Sequence, residues 1–253
     1  MFAVPQRAGY GAAMRIAAVL IALVGCHPSG DDYHVITGGD DHPINPMADG
    51  RPADGVVGDG SMLTGRVCVI SDLRRPTEPA SCAPSGVANI TVQLGTETAM
   101  TADDGSFMLL PPSGTGLVWK TSGADLVSSV TPLSTVHVLP MVRVQTYLDL
   151  QNGNSVIVNS GEGSVFLYVR QAGLPLADAT TDVSPVASYP SLGDRTNATN
   201  WVQGATGALG VSWTPGIIAG TATLTVTPPV GPDAVLAVPI EDGAITFATL
   251  AIP

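Results

Sequence analysis

The chain of 253 residues is strongly acidic, with a formal net charge of −11, and 45% of its residues are apolar. The acidity excludes a nucleic-acid-binding role because phosphate backbones would repel it, and the apolar fraction is ample for one or two domain cores. Lys120 is the only lysine, and the 29 glycines, 21 prolines and frequent threonine and valine favour strands joined by turns over helices.

A short apolar segment follows two arginines near the start of the chain. Arg7 and Arg15 precede residues 16–24, IAAVLIALV. This run is too short to span a bilayer, which takes about 20 apolar residues, and its length is typical of a secretory signal. The segment closes on residues 23–26, LVGC, which resemble the lipobox of bacterial lipoproteins. The alternative is an ordinary secretory signal in which a cysteine happens to stand at this position.

The lipobox resemblance implies how the chain is held at a membrane. In that family the cysteine thiol receives a diacylglycerol, the leader is cut just before it, and the new amino terminus is acylated, which assigns lipidation to Cys26. Each buried methylene contributes about 0.8 kcal/mol and about two chains anchor stably, so we expect a chain that is membrane-held without spanning. His27 stands where enterobacterial lipoproteins of the inner membrane have aspartate, which favours the outer membrane.

Residues 26–61 are predicted to form an acidic tether. They contain many aspartates with glycine and proline between them and show no apolar period, so they cannot bury enough surface to offset their ordering entropy. The Asp-Gly pairs at 49–50, 54–55 and 59–60 lack the ligand spacing and the closing glutamate of an EF-hand. Neither these pairs nor the scattered histidines of the segment predict a metal site.

Two cysteines remain when Cys26 is lipidated. Cys68 and Cys82 form an even pair in an exported chain, which predicts a disulfide. The bond would close a loop of about 15 residues and contribute roughly 3 kcal/mol in the chain-entropy model. Two free thiols or a metal pair are the alternatives, although no further ligand lies nearby in sequence.

From about Leu63 onward the apolar period becomes two, which indicates strands. In residues 90–94 the apolar side chains Ile90, Val92 and Leu94 alternate with polar ones. Residues 103–105, Asp-Asp-Gly, predict a three-residue hairpin turn in which the glycine takes a positive φ. Residues 116–120 and 136–139 supply further strands.

This first block resembles the carboxypeptidase regulatory-like domain, a transthyretin-like seven-stranded sandwich. The resemblance rests on Gly65-Arg66-Val67, on the strand from Gly86-Val87 to Leu94, and on residues 101–107, TADDGSF. It covers about residues 62–125. It implies a β-sandwich and no catalytic residue set.

A second block of strands begins near Gly161. Val165, Leu167 and Val169 alternate with larger residues, and residues 221–227 place threonines on one face. A final hairpin is predicted to fold residues 234–240 against 244–252. Between the blocks, residues 143–151 are predicted to form a short helix.

The two blocks resemble each other, which predicts an internal repeat. Residues 87–91 match 176–180, and residues 104–107 match 206–209. The second block also resembles the bacterial Ig-like domains of intimin and invasin type, and both resemblances imply a β-sandwich. We therefore predict an all-β protein with two tandem β-sandwich domains. The predicted organisation is a signal peptide (1–25), the tether (26–61), the first sandwich (62–142), a connecting segment (143–160) and the second sandwich (161–253).

No catalytic or cofactor-binding motif occurs in the chain. Zinc-protease, phosphate-loop and serine-elbow patterns are absent. Outside the tether the only histidine is His137, which is expected to pack in a strand. A glycosidase pair could be drawn from Glu162 and Asp178, but an acidic chain offers many such pairs. We therefore predict a protein that is not an enzyme and has no cofactor.

The aromatic residues give one candidate for ligand contact. Trp213 lies two residues after Val211 in a strand and is expected to pack in the core, whereas Trp201 lies in a polar stretch and is the better candidate for stacking on a sugar ring. The predicted role is a lipid-anchored envelope protein with a structural or adhesion function. The alternative is a carbohydrate-binding accessory lipoprotein. The expected partners are the membrane, through the anchor, and a cell-surface protein or polysaccharide.

Overall fold

The computed structural model describes residues 62–75, 82, 87–133 and 138–253. These contain seventeen strands and one helix. The strands of the first block are β1 Leu63–Ile70, β2 Thr91–Leu94, β3 Glu97–Met100, β4 Ser106–Leu109, β5 Val118–Ser122, β6 Leu126–Val127, β7 Ser129–Pro132 and β8 Val138–Arg143. Helix α1 spans Val144–Gly153, followed by β9 Glu162–Gln171, β10 Leu174–Pro175, β11 Thr180–Ser184, β12 Leu192–Gly193, β13 Val202–Gln203, β14 Val211–Ile218, β15 Gly220–Thr227, β16 Ala234–Ile240 and β17 Ile245–Ile252.

The strands form three sheets, and the predicted all-β class is confirmed. One sheet has the order β4-β1-β8-β6, and another has the order β11-β15-β16. The largest has the order β13-β12-β14-β9-β17-β7-β5-β2-β3, with β10 paired to β9. No helix in the described part of the chain is long and apolar enough to cross a membrane.

The two blocks share one pattern of strand pairing. In the first block β1 lies between antiparallel β4 and parallel β8, and in the second β9 lies between antiparallel β14 and parallel β17. The antiparallel order β2-β5-β7 of the first block recurs as β11-β15-β16 in the second. The predicted internal repeat is therefore present in the topology.

A matching set of hydrogen bonds fixes which residues correspond. Thr101 Oγ1 donates to Val87 O at 2.6 Å and accepts from Ile90 N at 3.0 Å. Thr206 Oγ1 donates to Leu176 O at 2.8 Å and accepts from the N–H of residue 179 at 3.1 Å. The predicted match of residues 87–91 with 176–180 is confirmed. The match of 104–107 with 206–209 is wrong by three residues, since Thr206 takes the place of Thr101.

Strands from both blocks meet in the largest sheet. Strand β17 pairs in parallel with β9 along its whole length and with β7 at its start, where Ile245 lies opposite Ser129. Ile245 N donates to Ser128 O at 2.9 Å. One sheet thus runs from the first block into the second, and the boundaries of two separate sandwiches stay a prediction.

Strand β9 is buried on both faces, as expected for a strand inside a layered structure. Val165, Leu167 and Val169 pack into one core with the β11-β15-β16 sheet. Phe166 and Tyr168 pack on the other face, into a core that also contains residues of β1, α1 and β14. This second core, which we call the junction core, therefore contains side chains from both blocks.

Most predicted elements are present. Ile90, Val92 and Leu94 are buried, and α1 begins one residue later than predicted and ends at Gly153. The turn at residues 103–105 forms with Gly105 at φ 81°, but β3 and β4 on either side of it belong to different sheets.

The predicted final hairpin is wrong. Strand β16 pairs with β15, and β17 pairs with β9 and β7, so residues 241–243 carry the chain from one sheet to another. Residue alternation identifies each strand but does not identify its partner. Residues 245–248 of β17 are buried on both faces, as expected for a strand that lies inside the largest sheet.

Candidate functional site

Several residues singled out from the sequence lie outside the described residues. These are the lipidation candidate Cys26, the tether at 26–61 with its histidines, and His137. Their roles stay predictions. Among the described residues, no group of three or more His, Cys, Asp or Glu is placed to hold a metal ion.

The predicted disulfide between Cys68 and Cys82 is present. Cys68 lies on β1 and is buried in the junction core. Cys82 is held next to this strand by a bridge to Ile70, and the two Cα atoms are 5.2 Å apart. The bond therefore fixes the start of the loop that contains Arg74 and Arg75.

The expected exposure of Trp201 is wrong. Its side chain is only 4% exposed, and its Nε1 donates to Ala198 O at 3.0 Å. Its ring lies edge-on to Phe166, with centroids 5.6 Å apart, and an aromatic residue packed this way cannot stack on a sugar. Asn154, directly after α1, holds this polar stretch inward, because it accepts from Trp201 N at 3.0 Å and donates to Thr199 O at 3.0 Å. Trp213 packs in the same core, as predicted.

Arg74 links the two blocks. Its Nη1 donates to Arg195 O at 2.6 Å and to Thr196 O at 2.8 Å, both in the second block. Its Nε and Nη2 donate to the two carboxylate oxygens of Asp72, at 2.8 and 2.6 Å. The planar guanidinium thus serves as a fork between one carboxylate and two carbonyls, a geometry that lysine cannot reproduce.

The charges of this link are mutually stabilised. Burial would raise the pKa of Asp72, but hydrogen bonds from the Arg74 side chain and backbone, with the charge of Arg74, outweigh it and lower the pKa. The same hydrogen bond to Asp72 raises the pKa of Arg74, and the charge of Asp194 adds to this effect. Both groups are therefore charged near neutral pH.

Asp194 organises the second-block side of the link. Its Oδ1 accepts from Gly207 N and Val211 N, each at 2.8 Å, and its Oδ2 accepts from Leu209 N at 3.0 Å. The residue is 1% exposed. Such bonding satisfies a buried carboxylate and holds the turn that corresponds to residues 101–105 of the first block.

Two buried tyrosines extend the same region. Tyr168 donates to Leu73 O at 2.5 Å, which joins β9 to the loop after β1, and burial raises its pKa well above the ordinary value. Tyr147 of α1 shares a hydrogen bond of 2.5 Å with Ser164 of β9, and burial raises its pKa to about 12.

On the surface, Lys120 of β5 pairs with Glu241 in the turn before β17.

A cleft of about 400 Å³ opens beside the Arg74 link. It is lined by residues 74–75, 194–196 and 207–209. The guanidinium of Arg74 and the carboxylate of Asp194 are both engaged by their neighbours, so these two groups act as structural partners. They are not arranged as an acid and a base around a reacting atom.

The glycosidase pair drawn from the sequence is not brought together. Glu162 stands at the start of β9, where its carboxylate accepts from Ser188 Oγ and from Asn159. Asp178 lies near the other end of this strand, two residues after Leu176, whose N donates to Val169 O. Seven strand residues separate the two regions, which is roughly 23 Å. Glycosidase carboxylates lie within about 10 Å of each other.

Comparisons with known proteins find structural likeness only. No family model and no curated protein matches the chain. The minor pilin GBS52 of Streptococcus agalactiae is 14% identical over 76% of this chain and 96% of that one, with a TM-score of 0.27. A shaft pilin, SpaA from Lactobacillus rhamnosus GG, is 10% identical over 76% and 97%, with a TM-score of 0.25. The Bacillus anthracis TIE protein is 12% identical over 64% of this chain and 31% of that one, with a TM-score of 0.26.

Sequence reasoning missed the link between the blocks. Arg74 and its acceptors Arg195 and Thr196 lie more than a hundred positions apart, and no local pattern connects them. The available signal was charge, since Arg74, Arg75 and Arg195 are three of only ten basic residues in the chain, and Arg195 follows an aspartate.

Proposed function

We propose that this chain is a lipid-anchored, non-catalytic structural or adhesion module of a bacterial cell envelope. The anchor would be Cys26, since residues 23–26 resemble a lipobox after a short apolar segment. The acidic segment 26–61 would act as the spacer between the membrane and the sandwich region. His27 favours the outer membrane.

The observation that supports a structural role is the way in which the two blocks are joined. A shared sheet, the junction core and the Arg74 link all connect residues far apart in sequence. Tandem domains joined only by a linker would be free to move. A module that must hold a partner at a distance from a membrane benefits from this rigidity.

We infer that the two blocks are tandem copies of one transthyretin-like unit. The repeated strand pairing and the matching bonds of Thr101 and Thr206 support this interpretation. The second copy would have kept the turn geometry while its acidic turn residues were replaced. Asp194 would then stabilise that turn from outside.

Detergent phase partition tests the anchor. Wild type is expected in the detergent phase and Cys26→Ser in the aqueous phase, because the substitution removes the acylated thiol. Cys82→Ser is the matched control, since it removes a cysteine and the disulfide but leaves position 26 intact. Equal partition of wild type and Cys26→Ser into water would contradict the anchor.

A further inference from the structure

Strand β16 presents an apolar outer edge. Within the described residues it pairs with β15 on one side and with no strand on the other. Its sequence is AVLAVPI, seven residues without a charge, and Val235 is 62% exposed. Proteins usually protect such an edge with charges or proline or cover it, because it offers unpaired N–H and C=O groups to another strand. In β16 only Pro239, near the end of the strand, gives such protection.

The corresponding edge of the first block is occupied. Thr91 of β2 corresponds to Thr180 of β11. Counting along the paired strands from these two residues, Val130 of β7 lies opposite Lys120, and Val235 of β16 lies opposite Thr225. Val130 and Val235 therefore hold equivalent positions in the two blocks. Val130 on β7 lies beside Thr246 of β17. The repeat unit therefore has an edge that accepts a strand at this position, and Val235 occupies that position in the second block.

The outward direction of the backbone groups follows from Pro239. This residue has no N–H to give to β15, and its carbonyl accepts from Thr246 Oγ1 at 2.6 Å. Alternate residues of a strand point their N–H and C=O groups to the same side. Val235 and Ala237 lie four and two residues before Pro239 in the same strand, so their N–H and C=O groups also face the outer edge. In the first block, Ser128 lies two residues before Val130, and its carbonyl accepts from Ile245 N. The backbone groups at the equivalent positions of the first block therefore also face the outer edge.

The opposite edge of the same sheet differs in character. Strand β11 has the sequence TTDVS, and Asp182 is exposed on it. Two copies of β11 side by side would oppose like charges, which is destabilising. Two copies of β16 bring no charges together.

We propose that β16 is the interface between two copies of this chain, paired antiparallel about a two-fold axis through Leu236. In this register Val235 of each copy lies opposite Ala237 of the other, and each pair exchanges two N–H···O=C bonds. The two β11-β15-β16 sheets then form one continuous sheet. A two-fold interface needs one self-complementary surface, and it is the commonest arrangement of homo-oligomers. The proposal does not depend on the lipid anchor.

Sedimentation of the full chain carrying Cys26→Ser tests the dimer without detergent. We expect a reversible monomer–dimer equilibrium, and we expect Val235→Lys to raise the dissociation constant at least about tenfold by placing charges at the two-fold interface. Thr180→Lys on β11 is the matched control and should dimerise as the parent does. A parent that stays monomeric at every concentration, or a Val235→Lys variant that dimerises equally well, would overturn the proposal. Open-ended oligomers would overturn the two-fold arrangement.

Disulfide trapping tests the register. A variant with Val235→Cys and Ala237→Cys should form a covalent dimer on oxidation, because these positions face each other across the axis. Val235→Cys alone should not, since its two copies are diagonal neighbours about 7–8 Å apart. Both positions are exposed, so the substitutions spare the core. Trapping by Val235→Cys alone, or no trapping by the double variant, would exclude this register.

Discussion

Asp194 shows at the scale of a residue how one buried carboxylate shapes a loop. Its two oxygens accept three backbone N–H groups from residues 207, 209 and 211. Because those bonds replace water, the loop keeps its conformation although it lies beside the junction of the blocks. The charge also stabilises the guanidinium of Arg74.

Replacing this carboxylate by an amide gives a specific prediction. In Asp194→Asn one oxygen can still accept from Gly207 and Val211, but the NH₂ group faces the N–H of Leu209. An unpaired buried donor costs about 1–3 kcal/mol, so the free energy of unfolding measured with denaturant should fall by that amount. Asp182→Asn on exposed β11 is the control and should change little. Equal stability of wild type and Asp194→Asn would contradict the role of this residue.

Tyr147 gives a prediction for alkaline pH. Burial raises its pKa from 10.0 to about 12. The unfolded chain therefore releases this proton at lower pH than the folded chain, so the contribution of Tyr147 to stability is complete below pH 10.0 and is lost as pH rises through about 12.

Thermal unfolding between these pH values measures the effect. Tyr147→Phe should lose stability less steeply than wild type as pH rises, because it has no phenol to ionise. Thr146→Val, on the same helix, should keep the wild-type slope. A slope unchanged by Tyr147→Phe would show that the folded state does not hold this phenol neutral.

Residue roles were predictable from sequence only where chemistry or periodicity is local. The pairing of Cys68 with Cys82 follows from an even count, and the burial of Trp213 follows from its place in a strand. The burial of Trp201 is not predictable from its polar neighbours in sequence, because they do not reveal that its ring packs against Phe166. The three hydrogen bonds to Asp194 could not be predicted from the sequence, because their backbone N–H donors lie 13 to 17 residues away in a different turn.

At the scale of an element, Gly210 combines two constraints. It has φ 66°, and a Cβ there would lie 2.6 Å from Val169 O and 2.7 Å from Leu176 N. Gly243 has the same φ of 66°, but nothing lies within 4 Å of its Cβ position. A comparison of substitutions at these two glycines therefore separates the cost of backbone strain from the cost of steric crowding.

Alanine at each position should cost different amounts. Gly243→Ala is expected to lose about 1 kcal/mol from the left-handed backbone alone. Gly210→Ala should lose clearly more, because β9 and the loop before β11 must also shift. Denaturant unfolding of both variants measures the difference. Equal losses would mean that the turn at 207–210 moves aside freely.

Strand assignments were more predictable than strand partners. The period of two located β2, β9 and β15 because one or both of their faces are buried. The predicted final hairpin failed because a tight turn at residues 241–243 is also compatible with a crossing between sheets. Pairing depends on which face each sheet must cover, and this is decided by contacts far away in sequence.

At the scale of the whole molecule, the repeat was visible in sequence but the fusion of its two copies was not. The match of residues 87–91 with 176–180 reflects one hydrogen-bonded turn used twice. The parallel pairing of β17 with β7 leaves no local pattern, since Ile245 and Ser129 resemble ordinary strand residues. The junction core likewise arises from single apolar residues contributed by both blocks.

Scanning calorimetry of the full chain tests most directly whether the two blocks form one cooperatively folded unit. Because they share a sheet and a core, we expect a single unfolding transition whose calorimetric and van't Hoff enthalpies agree. Two separate transitions, one for each block, would contradict it.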